Sequence, residues 1–123
     1  MDKVYLTSEF TFDAAHRLHY YEGKCKQTHG HTYRLQVTVC GVLNPLDGLL
    51  MDFVVLKNLV EEKIIEVVDH KDLSEVFKMN TTVENLCVWT WNALSPWLPN
   101  GVELHKIRLW ETPTCYATYR GGG

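Results

Sequence analysis

Two segments of the chain alternate between apolar and polar residues with the period of a strand. In the first, Val4, Leu6, Phe10, Phe12 and Ala14 share one phase, and His16 continues it. In the second, Tyr33, Leu35, Val37 and Val39 share a phase, with Arg34, Gln36, Thr38 and Cys40 between them. His29 and His31 stand in the apolar phase just ahead of Tyr33. Side chains two apart on a strand point to the same face, so both histidines look toward the buried side. The pattern predicts strands over 4–16 and 29–41, separated by a polar loop from Arg17 to Thr28 that holds Gly23.

The period then changes. Asn44-Pro45-Leu46-Asp47-Gly48 reads as a turn. Asp52 is a good N-cap for a helix running to about Val68, with an apolar stripe of Leu56, Val60, Ile64 and Val67 or Val68. That helix ends at Asp69-His70-Lys71-Asp72. A second helix starts at Thr81 or Thr82, where Thr81 and Glu84 have the spacing of a capping box. Leu86, Trp89, Ala93 and Leu94 give it an apolar side, and Pro96, Pro99, Asn100 and Gly101 close it. Strand alternation returns at Ile107, Leu109 and Glu111, breaks at Thr112-Pro113-Thr114, and resumes from Cys115 to Arg120. The order ββααββ predicts an α+β domain, one four-stranded antiparallel sheet with two helices on one face. Residues 1–120 are expected to form a single domain and 121–123 a flexible glycine tail.

Composition narrows the function classes. The 123 residues suit one domain, 46% of them are apolar, and the net charge of −3 argues against a nucleic-acid surface. No apolar run approaches the length of a membrane span, and no signal peptide precedes the first strand, so a cytoplasmic protein is expected. In that compartment the four cysteines are expected as free thiols, with Cys40 and Cys87 in the core. Cys25 differs, because it lies between Lys24 and Lys26 in the polar loop next to the histidines.

If the first two strands pair as an antiparallel hairpin, the end of one lies beside the start of the other. His16, His29 and His31 then converge from buried phases. Three imidazoles leave one position of a zinc ion open, as catalytic sites do, and neutral ligands leave the ion a strong Lewis acid. The plainer alternative is a set of core histidines satisfied by hydrogen bonds. His19 competes with His16, which is preferred for its phase; His105 is given no role. Cys25 reaches the same cavity, and as a thiolate it is a fourth ligand, a nucleophile or a base. Asp69-His70 pairs a carboxylate with an imidazole, although a histidine at a helix C-terminus also simply complements the dipole. Glu111 faces an apolar side and needs a partner. That partner is either the N–H groups of a flat amidine-like heterocycle or an arginine such as Arg108 or Arg120.

Phe12-Asp13-Ala14-Ala15-His16, Cys25-x-x-x-His29-Gly30-His31, Gly48 through Met51-Asp52-Phe53, Asp69-His70, Thr82-x-Glu84-Asn85 and Trp110-Glu111-Thr112-Pro113 occur in this order. In these motifs the chain resembles the 6-pyruvoyl-tetrahydropterin synthase / 6-carboxy-5,6,7,8-tetrahydropterin synthase family over nearly its whole length. The resemblance implies the tunnelling fold, in which sheet edges join into a trimeric barrel and two trimers stack into a homohexamer with active sites between subunits. It implies 7,8-dihydroneopterin triphosphate as substrate and Zn2+ held by His16, His29 and His31. Cys25 would be the base, Asp69 and His70 the accompanying relay, met from a neighbouring chain. Glu111 would anchor the pterin, and Thr82 would help hold it. The three residues between Cys25 and His29 resemble the 6-carboxy branch, which serves queuosine (7-deazaguanine) synthesis and releases acetaldehyde and triphosphate. The pyruvoyl branch usually has a longer insertion there and eliminates triphosphate alone. A branch with glutamate for the cysteine serves folate synthesis, and Cys25 argues against it. A non-catalytic pterin-binding zinc protein is a further alternative. Thr81 departs from a common proline without disturbing the helix start, and Arg17, Lys24 and Lys26 are candidates for the triphosphate.

Overall fold

The computed structural model describes residues 2–18 and 28–122. The two alternating segments form long strands, β1 (Lys3–His16) and β2 (His29–Val42). They pair antiparallel without interruption from Lys3 opposite Val42 to His16 opposite His29. The expected hairpin geometry is therefore present, with Ala14 opposite His31. β4 (Glu103–Thr112) pairs antiparallel with β2, and β5 (Cys115–Tyr119) pairs antiparallel with β4. Register shifts at Thr38/Val39 and at Trp110/Thr112 mark bulges in these two ladders.

The sheet has a fifth member. Lys71–Asp72 (β3) adds in parallel beside Ala14 and Ala15 of β1, giving the order β3-β1-β2-β4-β5. The four antiparallel strands are as expected; the two-residue fifth strand was not. So short a segment carries no alternation to read. It is held where it is because His70 turns with φ of 57° and donates its backbone N–H to the carbonyl of Asp13 at 2.7 Å.

The first helix (α1) is α-helical over Phe53–Val60, passes through a π-helical turn at Glu61–Ile65 and closes with an α-helical turn at Glu66–Val68. Asp52 caps it, accepting the N–H of Val54 at 2.8 Å. The π turn has a reason in the sequence. Leu56, Val60, Ile64 and Val68, spaced four apart, are all buried. A stripe with that spacing slips about 40° per step on an α-helix, since each residue turns it about 100°. One wider turn takes up the slip and keeps the stripe on the sheet.

A short helix α2 (Leu73–Val76) follows β3, and α3 (Val83–Leu94) follows at Thr82. The N-cap of α3 is Thr82, whose hydroxyl accepts the N–H of Asn85 at 3.1 Å. The capping box of Thr81 with Glu84 does not form. Thr81 is buried and turned to another task, and Glu84 is exposed. Helix residues Leu56, Val60, Ile64, Leu86 and Leu94 pack on Phe10, Phe12, Tyr33, Leu35, Val37, Ile107 and Leu109 of one sheet face. The other face is polar: Glu9 accepts from Gln36 at 2.8 Å and pairs with Arg34 at 3.3 Å.

One packing constraint is narrow enough to test. A Cβ at Gly41 would lie 2.3 Å from the carbonyl oxygen of Gly101 and 2.6 Å from Leu50 Cδ1. The first contact is backbone, so the strand itself must move. Gly41→Ala is expected to destabilise the fold by about 1–3 kcal/mol, the usual range for overpacking, read by denaturant unfolding.

Candidate metal centre

The β1–β2 register builds the site. His16 and His29 are opposite one another, and His31 lies two residues along the same face. The ring centroids are 4.7 Å apart for His16–His29, 4.8 Å for His29–His31 and 5.1 Å for His16–His31. One ring nitrogen from each lies within 4.8 Å of the others, an arrangement able to hold a metal ion. His16 is 1% exposed and the other two are half-buried.

Thr81 fixes the orientation of His16. His16 Nδ1 lies 2.8 Å from the Thr81 carbonyl and 3.3 Å from its hydroxyl. A carbonyl only accepts, so Nδ1 carries the proton and the lone pair sits on Nε2. Among the described residues, that Nε2 is buried and has no hydrogen-bond partner, and the same holds for His31 Nε2. Buried polar nitrogens are normally satisfied. A lone-pair nitrogen on His16, whose far nitrogen is tied to a carbonyl, and an unpartnered Nε2 on His31, both facing a third imidazole, form a donor set that a metal ion can take. Burial, the largest influence, holds the pKa of His31 below its ordinary value; His16 and His29 push the same way, and Glu111 opposes them. The neutral, ligating form is therefore favoured.

Glu111 closes one side. Its Oε1 is 3.6 Å from His31 Nε2, and it is half-buried. Among the described residues its close side-chain contact is with His31 and not with Arg108 or Arg120. Arg108 donates to the Thr118 hydroxyl at 2.8 Å and lies over the Tyr116 ring at 4.4 Å. A cavity of about 460 Å³ opens beside Glu111, lined by His31, Arg34, Trp110 and Thr112 among others. Tyr33 lies under the cluster, fully buried, with its ring stacked on Phe12 at 4.9 Å.

Asp69 and His70 form a separate group at the β3 edge. Asp69 Oδ2 lies 3.0 Å from His70 Nδ1, while Oδ1 accepts the backbone N–H of Asp13 at 3.0 Å. That backbone hydrogen bond, with smaller help from His70, holds the Asp69 carboxyl below its ordinary pKa. The His70 side chain is 78% exposed. It shares a cleft of about 570 Å³ with His31, Gly30 and Asp13.

Thr82 spends its hydroxyl on the α3 cap. Arg17 is tied to α2 through its backbone, its N–H donating to the Ser74 hydroxyl at 2.8 Å. Cys25, His19, Lys24 and Lys26 lie outside the described residues. Two contributors were missed in the sequence. Thr81 had been assigned to the helix cap, although a second threonine directly after it was available for that role. Tyr33 had been counted simply as one of the apolar series.

Comparison with known proteins follows the same lines. A sequence profile for 6-pyruvoyl tetrahydropterin synthase matches residues 5–122. The chain is 35% identical to a 6-pyruvoyl tetrahydrobiopterin synthase of Poecilia reticulata, over 95% of this chain and 90% of that one. It is 32% identical to a 6-carboxy-5,6,7,8-tetrahydropterin synthase of Haemophilus influenzae, over 94% of this chain and 97% of that one. The structure of a 6-pyruvoyl tetrahydropterin synthase from Caenorhabditis elegans matches with a TM-score of 0.90 and 31% identity, covering 99% of this chain and 98% of the other.

Two outcomes are expected. His31→Ala should lower bound metal, measured by elemental analysis of the purified protein, to well under one-tenth of wild type while the far-ultraviolet circular dichroism is retained. Asp69 has a folded pKa below its value of 3.8 in the unfolded chain, so its contribution is present above that value. It is lost as the pH falls below 3.8 and through the folded pKa. Asp69→Asn should therefore flatten the acid limb of a plot of Tm against pH and leave the neutral limb unchanged.

Proposed function

The chain belongs to the 6-pyruvoyl tetrahydropterin synthase family, and on that premise we propose that it is a zinc-dependent lyase acting on 7,8-dihydroneopterin triphosphate. The observation that carries this reading is the buried, unpartnered Nε2 of His16, aimed at His29 and His31 and 65 residues away from the carbonyl that orients it. Three imidazoles with an open position suit Zn2+. A divalent ion there supplies Lewis acidity to the side-chain hydroxyls of the substrate and so acidifies the adjacent C–H.

The chain's own residues do the rest. Glu111 accepts two N–H bonds from the amidine-like edge of the pterin and sets the distance from ring to metal. Cys25, four positions before His29, is the base that takes the carbon-bound proton. Asp69 fixes the tautomer of His70 and holds it as a proton carrier. Thr82 approaches the pterin through its backbone, since its hydroxyl is engaged in the α3 cap. Among the described residues β3, which directly follows Asp69 and His70, is one edge of the sheet, and β5 is the other. Joining such edges between copies removes both, which supports a barrel-forming homohexamer whose sites combine Cys25 of one subunit with the relay of the next.

The product assigned is 6-carboxy-5,6,7,8-tetrahydropterin, released with acetaldehyde and triphosphate, in 7-deazaguanine (queuosine) synthesis. The three-residue gap between Cys25 and His29 supports this branch. A second reading, elimination of triphosphate to a 6-pyruvoyl pterin, is favoured by the 35% identity to the Poecilia reticulata enzyme.

Incubation with 7,8-dihydroneopterin triphosphate and mass analysis separates the two. A 6-carboxy pterin with acetaldehyde is expected; a 6-pyruvoyl pterin without acetaldehyde would establish the second reading. Cys25→Ala should keep its metal and lose at least about a hundred-fold in kcat, the usual scale for a positioned base. Unchanged turnover would remove Cys25 from that role, and a wild-type protein with no turnover would leave a pterin-binding zinc protein.

A further inference from the structure

Tyr33 is 0% exposed and, among the described residues, its hydroxyl has no hydrogen-bond partner. A phenol in the core normally turns its polar end to a partner, because an unsatisfied buried hydroxyl is costly. Its neighbours are those of the site. The Tyr33 ring lies 5.6 Å from that of His31 and 6.2 Å from that of His16, each edge-on. Arg34 is paired with Trp110 across the β2–β4 ladder. The β4 bulge falls directly after it, at Glu111, and both Glu111 and the Tyr33 ring approach His31 there.

Glu111 now rests 3.6 Å from His31 Nε2. Once that nitrogen gives its lone pair to a metal it has no proton to offer a carboxylate. Glu111 then loses that ring as a donor, and Tyr33 holds one that is unused among the described residues. We propose that the Tyr33 hydroxyl is the internal donor to Glu111 in the loaded site, a positioning residue that aims the carboxylate at the N–H groups of the ligand ring. This rests on the pterin reading of the site. It also accounts for a polar group left unsatisfied in the core: the partner is supplied by the loaded arrangement.

The test compares Tyr33→Phe, Glu111→Gln and the double variant, each metal-loaded, for binding a 2-amino-4-oxopteridine without the phosphorylated side chain, by calorimetry. Y33F should weaken binding about ten-fold, the scale of a hydrogen bond to a charged group, with metal content unchanged. In the E111Q background the same change should cost less than about three-fold, because the charged acceptor is gone. The metal-free Y33F protein should melt no lower than wild type, since it loses only an unsatisfied hydroxyl. Unchanged affinity in Y33F, or an equal loss in both backgrounds, overturns the inference. A lowered Tm with equal losses identifies a packing role alone and overturns it too. A wild-type protein that binds no pteridine overturns the pterin reading and this inference with it.

Discussion

The register of one strand pair governs the site. β1 and β2 align without a break so that His16 meets His29, and Ala14 meets His31. The side-chain period of a strand is two, so a slip of one residue would send His16 to the polar face while His29 and His31 stayed on the core face. The alternation of Phe10, Phe12, Tyr33, Leu35 and Val37 prevents the slip, because it would carry Phe10 and Phe12 out of the core. The apolar pattern that folds the sheet thus also assembles the imidazoles. The three imidazoles and the core share a phase and cannot be moved separately.

The other half of the fold completes what the hairpin starts. Thr81, just before α3, reaches back to His16 and chooses which nitrogen faces the cluster. The end of β1 is laced to the segment after α1: Asp13 binds both Asp69 and His70 through its backbone, and Arg17 exchanges hydrogen bonds with Ser74. The π turn in α1 keeps Leu56 to Val68 on the sheet and delivers Asp69 to that edge. Elements far apart in sequence therefore meet at the last few residues of β1.

Much of this was legible in the sequence because it rests on periodicity. Strand alternation placed His16, His29 and His31 on one face, and the phase of Glu111 with Ile107 and Leu109 turned it toward them. The helix cap at Asp52 and the end of α1 before Asp69 followed from local chemistry. What was not legible depends on long-range contact. Thr81 looked like a cap because the capping box is a local rule, whereas its carbonyl is taken by a histidine 65 residues away. The two-residue β3 has no pattern of its own. The π turn was not legible either, because the stripe reads equally with Val67 or Val68 at its end, and only the burial of Val68 makes the spacing a strict four. Tyr33 was hidden by being a good strand residue, and only its unpartnered hydroxyl separates it from Leu35 beside it.

The division of labour among the side chains is the central claim: three imidazoles hold the ion, and the thiol of Cys25 stays outside its coordination to move a proton. X-ray absorption at the zinc edge of the loaded protein addresses this most directly. The account predicts three imidazole nitrogens at about 2.0–2.1 Å, the remaining position taken by oxygen, and no sulfur. A sulfur shell at about 2.3 Å would make Cys25 a ligand and contradict its assignment as the base. Fewer than three imidazoles would contradict the metal centre itself.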